Sequence, residues 1–318
     1  MIRPNTLSEF VGQQNARRIL SVLITASKRR SEPVPHVLMS GPSGLGKTTL
    51  ARIVAAEMGG WLIEMVGSSL KNATEMTAQL LELKANDVLF IDEIHALPRK
   101  LEEVMYPAME DGVITTAEAG FDDLMKQLGI RGDKSRKTHQ IPPFTLIGAT
   151  TLLGLTTAPL RSRFRQIIEL EAYNDEELQT IIGNAATKLA FDVPGEVAQQ
   201  IAIRSRGTAR TAMSNLMWYR DYVQADGGIA TMEALQAAFE LKGIDCNGMT
   251  RTDREYLKRL IEADEPVGVE TLASAIGESP ETLEESVEPF LLRQGFIQRT
   301  GRGRVATEKA RQTLMEVA

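Results

Sequence analysis

With a single cysteine, Cys246, and three scattered histidines, the chain offers little to covalent cross-linking or metal ligation. One thiol cannot close an internal disulfide, and no His or Cys spacing matches a zinc site, so a disulfide scaffold and a structural zinc are both excluded. No apolar run approaches the eighteen residues that a membrane-spanning helix needs. The N-terminus MIRPNTLSEF has neither a charged-then-apolar signal pattern nor an Arg-rich transit character, and the expectation is a soluble, cytoplasmic protein. What the chain does have is length: 318 residues at 43% hydrophobic content can fill more than one core, which predicts two or three domains. The net charge of −6 argues against wholesale coating of nucleic acid, so any such contact must come from a local cluster.

The strongest local signal is HVLMSGPSGLGKTTLARIVAAEM, residues 36–58. A short apolar stretch gives way to a Gly-rich loop and then to helical spacing at Leu50, Ile53, Val54 and Met58. Gly41, four intervening residues and then Gly46-Lys47-Thr48 form a phosphate-cradling loop, set between strand and helix as its mechanism requires. Glycines let backbone N–H groups approach phosphates, the helix N-terminus adds positive potential, Lys47 neutralises the outer phosphates, and the Thr48 hydroxyl can ligate magnesium. ATP is therefore expected on Gly41, Gly44, Leu45, Gly46, Lys47, Thr48 and Thr49. A second apolar strand, in DVLFIDEIH at 87–95, ends in Asp92 and Glu93. Asp92 would hold Mg2+ through water and Glu93 would polarise the attacking water. A third strand, in FTLIGATT at 144–151, ends in Thr150, which could position that water or sense the γ-phosphate; alone it reads as a strand-end hydroxyl satisfying a turn.

Together with PLRSRF at 159–164 and RSRGTAR at 204–210, these motifs resemble the AAA+ ATPases, and in particular the RuvB family of bacterial motors that drive Holliday-junction branch migration. The resemblance runs from RPNTLSEFVGQ to RTGRGRVAT, nearly the whole chain. It implies an α/β fold: a P-loop AAA+ parallel-sheet domain over 1–172, a helical lid over 173–245 and a winged-helix DNA-binding domain over 246–318. It makes Arg163 the finger that acts in trans on the γ-phosphate held by a neighbouring subunit, where a guanidinium fork suits the spread charge of a phosphoryl transition state. Arg161 then braces that loop or joins the subunit interface, and Arg165 is a solvated charge. Arg210 matches the sensor arginine that touches the nucleotide of its own subunit, and Arg3, Pro4, Phe10 and Val11 are expected near the adenine, the last three as apolar walls or, for at least one of them, as plain core. ATP and Mg2+ are the implied cofactors, and a homo-oligomer is implied, a hexameric ring that is closed, open or spiral.

The residues also carry the last two domains directly. Segments 175–189, 196–205, 209–223 and 231–241 have helical length and apolar spacing, with PGE and DGG as interruptions. After Cys246, residues 250–262, 269–276 and 280–294 read as three helices, followed by GFIQRTGRGRVAT, whose apolar ends flank a Gly-punctuated basic tip as in a two-stranded wing. Residues 293–311 hold six basic side chains against one acidic. The expected recognition helix instead carries Glu281, Glu284, Glu285 and Glu288, a poor surface for the major groove. Arg299, Arg302 and Arg304 are therefore expected to hold DNA phosphates without regard to sequence.

One segment departs from the family. Between YPAMEDG and PPFTLIGATT the family has a β-hairpin with an apolar tip that docks the junction-binding partner RuvA; here strand-like ends at 113–116 and 138–141 flank a longer tip. Phe121, Leu124, Met125 and Leu128 form a short helical stripe, followed by Arg131, Lys134, Arg136 and Lys137. Either the stripe packs on its own ATPase domain, or the segment docks a different partner or touches DNA, and both readings argue against the standard RuvA contact. Little precedes RPNTL, so any N-terminal arm is expected to be short. The function expected is an ATP-driven, DNA-translocating ring motor. Its rivals are a clamp-loader-like or helicase-loading switch that does not translocate, and a DNA-bound scaffold without turnover.

Overall fold

The three apolar runs at 37–39, 88–91 and 146–149 form the interior of one parallel sheet, because a strand covered on both faces must be apolar at every position. The computed structural model describes residues 2–115 and 138–317, which fall into two units, 1–173 and 174–318. In the first unit the sheet consists of β1 (Val37–Ser40), β2 (Leu62–Val66), β3 (Val88–Asp92), β6 (Thr145–Thr150) and β7 (Gln166–Glu169), in the order β2-β3-β6-β1-β7. A short antiparallel pair, β4 (Val113–Thr115) and β5 (Thr138–Gln140), stands apart from it. The helical stripe and basic run expected between them lie outside the described residues.

Strand β1 sits between β6 and β7, although β6 is reached only after β2 and β3, so the direction of winding reverses beside it. Open parallel sheets bind ligands at the carboxyl ends of strands at such a reversal. Here that edge carries Ser40, Asp92 and Thr150, with Ser40 in register with Thr150. Helix α1 (Gln14–Arg30) buries Leu20 and Ile24, α2 (Lys47–Met58) buries Leu50, Ile53 and Val54, and α3 (Ala73–Glu82) buries Met76 and Leu80. Each such side chain contributes about 1.5–3 kcal/mol on leaving water. Helix α4 (Arg99–Glu110) buries Leu101 and Met105, and the short α5 (Ala158–Ser162) is capped by Thr157, whose side chain accepts from the Leu160 N–H.

His36 ties β6 to α4 just ahead of β1. Its Nδ1 accepts from Leu146 N at 2.8 Å and its Nε2 donates to Met109 O at 3.2 Å. Only the neutral ring can do both, and burial lowers the His36 pKa below its usual value, against a smaller opposing effect from the Met109 carbonyl. A folded pKa below the unfolded one means that stability is full above the unfolded value of 6.5 and is lost as pH falls from there towards the folded value. Each unit of difference corresponds to about 1.4 kcal/mol. Melting temperatures measured from pH 7.5 down to 5.5 should fall more steeply for the wild type than for His36→Gln; parallel curves would show that His36 contributes nothing to acid sensitivity.

The second unit opens with four helices, α6 (Asp175–Lys188), α7 (Gly195–Ile203), α8 (Ala209–Ala225) and α9 (Met232–Leu241). A capping box of Asn174 and Glu177 starts α6, and Thr208 caps α8. Helices α10 (Arg251–Ala263), α11 (Val269–Ile276) and a helical segment over 280–293 follow, then β8 (Ile297–Thr300) and β9 (Gly303–Ala306). The segment widens to a π turn over Leu283–Val287 because Pro289 has no N–H to return to residue 285 and its ring would strike that carbonyl. Tyr256, Leu257, Leu283, Leu291 and Phe296 form a core of their own. Two features escape sequence reading: Val267 forms an isolated antiparallel bridge to Arg304 beside the two-stranded wing, and helix α12 (Glu308–Val317) follows β9, with Ala310 buried.

The expected boundary at 245/246 falls inside this unit, where side chains from either side interlock. Arg206, in the loop ahead of α8, makes a bidentate pair with the fully buried Asp253 of α10, at 3.1 Å to each oxygen, and donates to Ser286 O at 2.7 Å. Its guanidinium carbon lies 4.4 Å from the centroid of the Phe290 ring. Arg204 donates to Asp245 O, and Arg254 reaches the Asp245 carboxylate.

Candidate active site

Two glycines give the loop after β1 its shape. Gly41 has φ 134° and a Cβ there would lie 2.5 Å from Leu170 O; Gly46 has φ 105° and a Cβ would meet the Phe10 ring at 2.7 Å. Any side chain at either position would push the loop off the protein. Tyr173 donates its hydroxyl to Leu45 O at 2.8 Å, and Leu45 is wholly buried, so the loop is anchored from beneath. The Lys47 ammonium lies inside the curl, donating to Gly41 O at 2.6 Å and Pro42 O at 3.0 Å. Lys47 opens α2, and Thr48 and Thr49 follow in its first turn, where N–H groups point outward and favour an anion. Phe10 is buried and packs under Gly46, which fits the core alternative among the three apolar residues; Pro4 and Val11 are half-exposed and Arg3 is exposed.

At the end of β3, Asp92 accepts the Glu93 N–H through one oxygen at 3.1 Å. Glu93 adopts the left-handed conformation, φ 47° and ψ 50°, which costs a non-glycine residue about 1–2 kcal/mol and is held in place by its surroundings. Gly67 makes room for this turn, since a Cβ on it would lie 2.4 Å from Glu93 O. The Glu93 carboxylate accepts from both the N–H and the hydroxyl of Thr151, at 3.3 and 3.1 Å, and lies 3.2 Å from His95 Nδ1.

Thr150 is placed differently from expectation. It is fully buried, its hydroxyl lies 2.9 Å from His95 Nδ1, and it accepts the Leu152 N–H. The hydroxyl that reaches the Glu93 carboxylate is that of Thr151, one residue beyond the strand. Side chains alternate in direction along a strand, so one position decides which threonine faces the open edge. The doublet in GATT was the available signal, and His95 in DEIH was a second.

Arg163 follows α5. Its Nη1 donates to Pro159 O at 2.7 Å, its Nε lies 3.0 Å from Glu110 Oε1, and its guanidinium carbon stands 3.9 Å from the Tyr106 ring centroid. Arg161 is half-exposed and Arg165 exposed. In the second unit, Arg210 lies in the first turn of α8.

In the wing, two of the three arginines expected at DNA are paired with carboxylates. Glu288 is wholly buried and takes Arg299 Nε at 2.7 Å, Arg304 Nε at 2.8 Å and the Tyr256 hydroxyl at 2.8 Å. Burial by itself would raise the Glu288 pKa, but the hydrogen bonds from Arg304, Tyr256 and Arg299 bring it below its ordinary value. Arg304 also binds Glu284 and is only 14% exposed, so it braces the wing. Arg299 pairs with the same carboxylate as Arg304, Glu288, but stays exposed, and Arg302 stands at the exposed tip. Two of the four glutamates that made the helix look hostile to DNA are thereby neutralised. Glu288→Ala should cost about 3 kcal/mol in urea unfolding by stranding the arginines it pairs. Arg302→Ala should leave stability unchanged while lowering DNA affinity evenly across sequences, with a salt slope smaller by about one; a stable Glu288→Ala protein would mean that the cluster contributes little.

The sheet order, the glycine loop on α2 and the acidic pair closing β3 define a P-loop ATPase of the AAA+ class. Three family descriptions match in succession: the Holliday junction DNA helicase RuvB P-loop domain over residues 2–170, the RuvB AAA lid domain over 173–245 and the RuvB C-terminal winged helix domain over 246–315. A curated relative, the Holliday junction branch migration complex subunit RuvB of Rubrobacter xylanophilus, is 47% identical over 313 residues, 97% of this chain and 85% of that protein. The solved Thermotoga maritima RuvB Holliday junction branch migration motor is 40% identical with a TM-score of 0.85, covering 99% of this chain and 98% of that one. A single-residue mutant of the same protein gives 0.86, with 40% identity over the same shares. The chain belongs to the RuvB family.

Proposed function

We propose that this chain is an ATP-hydrolysing motor that moves duplex DNA and drives Holliday-junction branch migration in recombination and repair. The observation that supports this best is the joining, on one chain, of a Glu93 carboxylate oriented by Thr151 beside the Lys47 loop to a winged helix with Arg302 at its tip. Lys47 and the N–H groups of α2 hold the phosphates, and Glu93 takes the proton side of the attacking water. Arg163 completes the site of a neighbouring subunit in a hexameric ring, so that hydrolysis depends on assembly. Arg210 keeps the nucleotide-sensing role that the family pattern gives it.

Magnesium fits the donor set. Thr48 offers a hydroxyl and Asp92 a carboxylate engaged through one oxygen only, while no group of three or more His, Cys, Asp or Glu occurs among the described residues. A site of one or two oxygen donors that leaves the remainder to water and phosphate is what this ion takes, and it supplies neutralisation of phosphate charge. Among the described residues no helix is long and apolar enough to cross a membrane.

The test is a junction branch-migration assay with purified protein, with and without a RuvA-type junction-binding partner. ATP-dependent movement of the crossover is expected. DNA-stimulated hydrolysis without movement under both conditions would instead favour a loader-type switch.

A further inference from the structure

Arg163 does not stand alone in the first unit. Its guanidinium carbon lies over Tyr106, 3.9 Å from the ring centroid and two turns along α4 from the helix start, with its Nε buried beside Glu110. Tyr106 is itself tethered: its hydroxyl donates to Glu102 Oε2 at 2.8 Å. The same oxygen accepts the Thr157 hydroxyl at 2.6 Å, and Thr157 is the residue that caps α5. Glu102 is 3% exposed, so one buried carboxylate fixes both the ring beneath the guanidinium and the start of the short helix that precedes it. A long flexible side chain without such anchors would have to be ordered in every catalytic cycle.

We propose that Tyr106, anchored by Glu102, is a positioning residue that pre-orients Arg163 for the site it completes on the neighbouring subunit. The proposal rests on the reading of Arg163 as acting in trans. A planar guanidinium stacks on an aromatic face without losing its in-plane N–H donors; with Nη1 on Pro159 O and Nε facing Glu110, the ring and these contacts fix the fork and leave Nη2 for phosphate. Ordering the side chain beforehand removes that entropy from the reacting step, where small misplacements lower rates steeply. Glu110 on the guanidinium's Nε side adds a second fixed point.

The experiment measures ATP turnover and ATP affinity in Tyr106→Leu, Tyr106→Phe and Arg163→Ala. Tyr106→Leu should lower kcat about tenfold to a hundredfold with ATP affinity at its own site unchanged, and Tyr106→Phe, which keeps the ring and loses the tether, should fall between. In an Arg163→Ala background Tyr106→Leu should have no further effect, because the two act as one unit. Mixed with Lys47→Ala subunits, Tyr106→Leu subunits should regain turnover, since their ATP then meets an intact Arg163 from next door. Damage to the variant's own nucleotide site would not be rescued in this way. Should Tyr106→Leu fail to fold, Tyr106→Phe and Glu110→Gln carry the same comparison, and wild-type or raised rates in both would overturn the proposal. If Arg163→Ala itself is not rescued by Lys47→Ala in proven co-assemblies, the trans reading is what fails; if it is rescued while the Tyr106 variants keep full rate, only the positioning role falls.

Discussion

Replacing Glu93 by glutamine should abolish turnover while leaving ATP binding and assembly intact. The glutamine carbonyl can still accept both Thr151 donors, at the sites now 3.1 and 3.3 Å from the carboxylate, so the left-handed turn and its neighbours stay in place. What disappears is a negative oxygen able to draw a proton from water, a contribution of about 10²–10⁴ in rate. Lys47 and the glycine loop are untouched. Phosphate release measured beside binding of a fluorescent ATP analogue separates the two effects, and a variant that hydrolyses at the wild-type rate would remove Glu93 from the mechanism. Thr151→Val should reproduce part of the loss by freeing the carboxylate, whereas Thr150→Val should act mainly through its packing against His95.

The second large effect is expected at Arg163. Supplying a guanidinium to a phosphoryl transition state from an adjacent protein contributes about 10³–10⁵ in rate, so Arg163→Ala should be nearly inert as a homo-oligomer. Arg163 is held by Pro159, Glu110 and Tyr106, none of which belongs to the glycine loop of its own chain. Arg163→Ala subunits should accordingly bind ATP normally. Mixed with Lys47→Ala subunits, which cannot hold ATP but carry the arginine, they should recover activity at interfaces that pair one of each. Complete silence in mixtures shown to co-assemble would count against action between subunits.

Much of this was legible because nucleotide chemistry is written in short contiguous motifs. Gly41 and Gly46 announce themselves by residue type, since only glycine tolerates the approach to Leu170 O and to Phe10. The strands could be read from unbroken apolar runs. The misreadings have a common origin: each depended on which way a side chain turns. Thr150 and Thr151 are indistinguishable by composition, yet one faces His95 and the other faces Glu93. The pairing of Arg299 and Arg304 with Glu288, 11 and 16 residues earlier, and of Arg304 with Glu284 could not be read from a helix counted as acidic surface. Which of Pro4, Phe10 and Val11 is core was equally open until Phe10 was seen packed against Gly46. Tyr106 and Glu102 gave no signal, because a stacking partner is defined only once α4 and α5 have been folded together.

Arg206 gives the second unit a mechanical property. The turn bearing it also begins the helix that carries Arg210, and its guanidinium is locked onto a carboxylate from which water is excluded. Pulling such a pair apart would strand a charge in a nonpolar setting. The four lid helices and the wing should therefore resist being bent against each other, so a torque applied at one end of this unit is carried to the other as through a stiff lever rather than a slack tether.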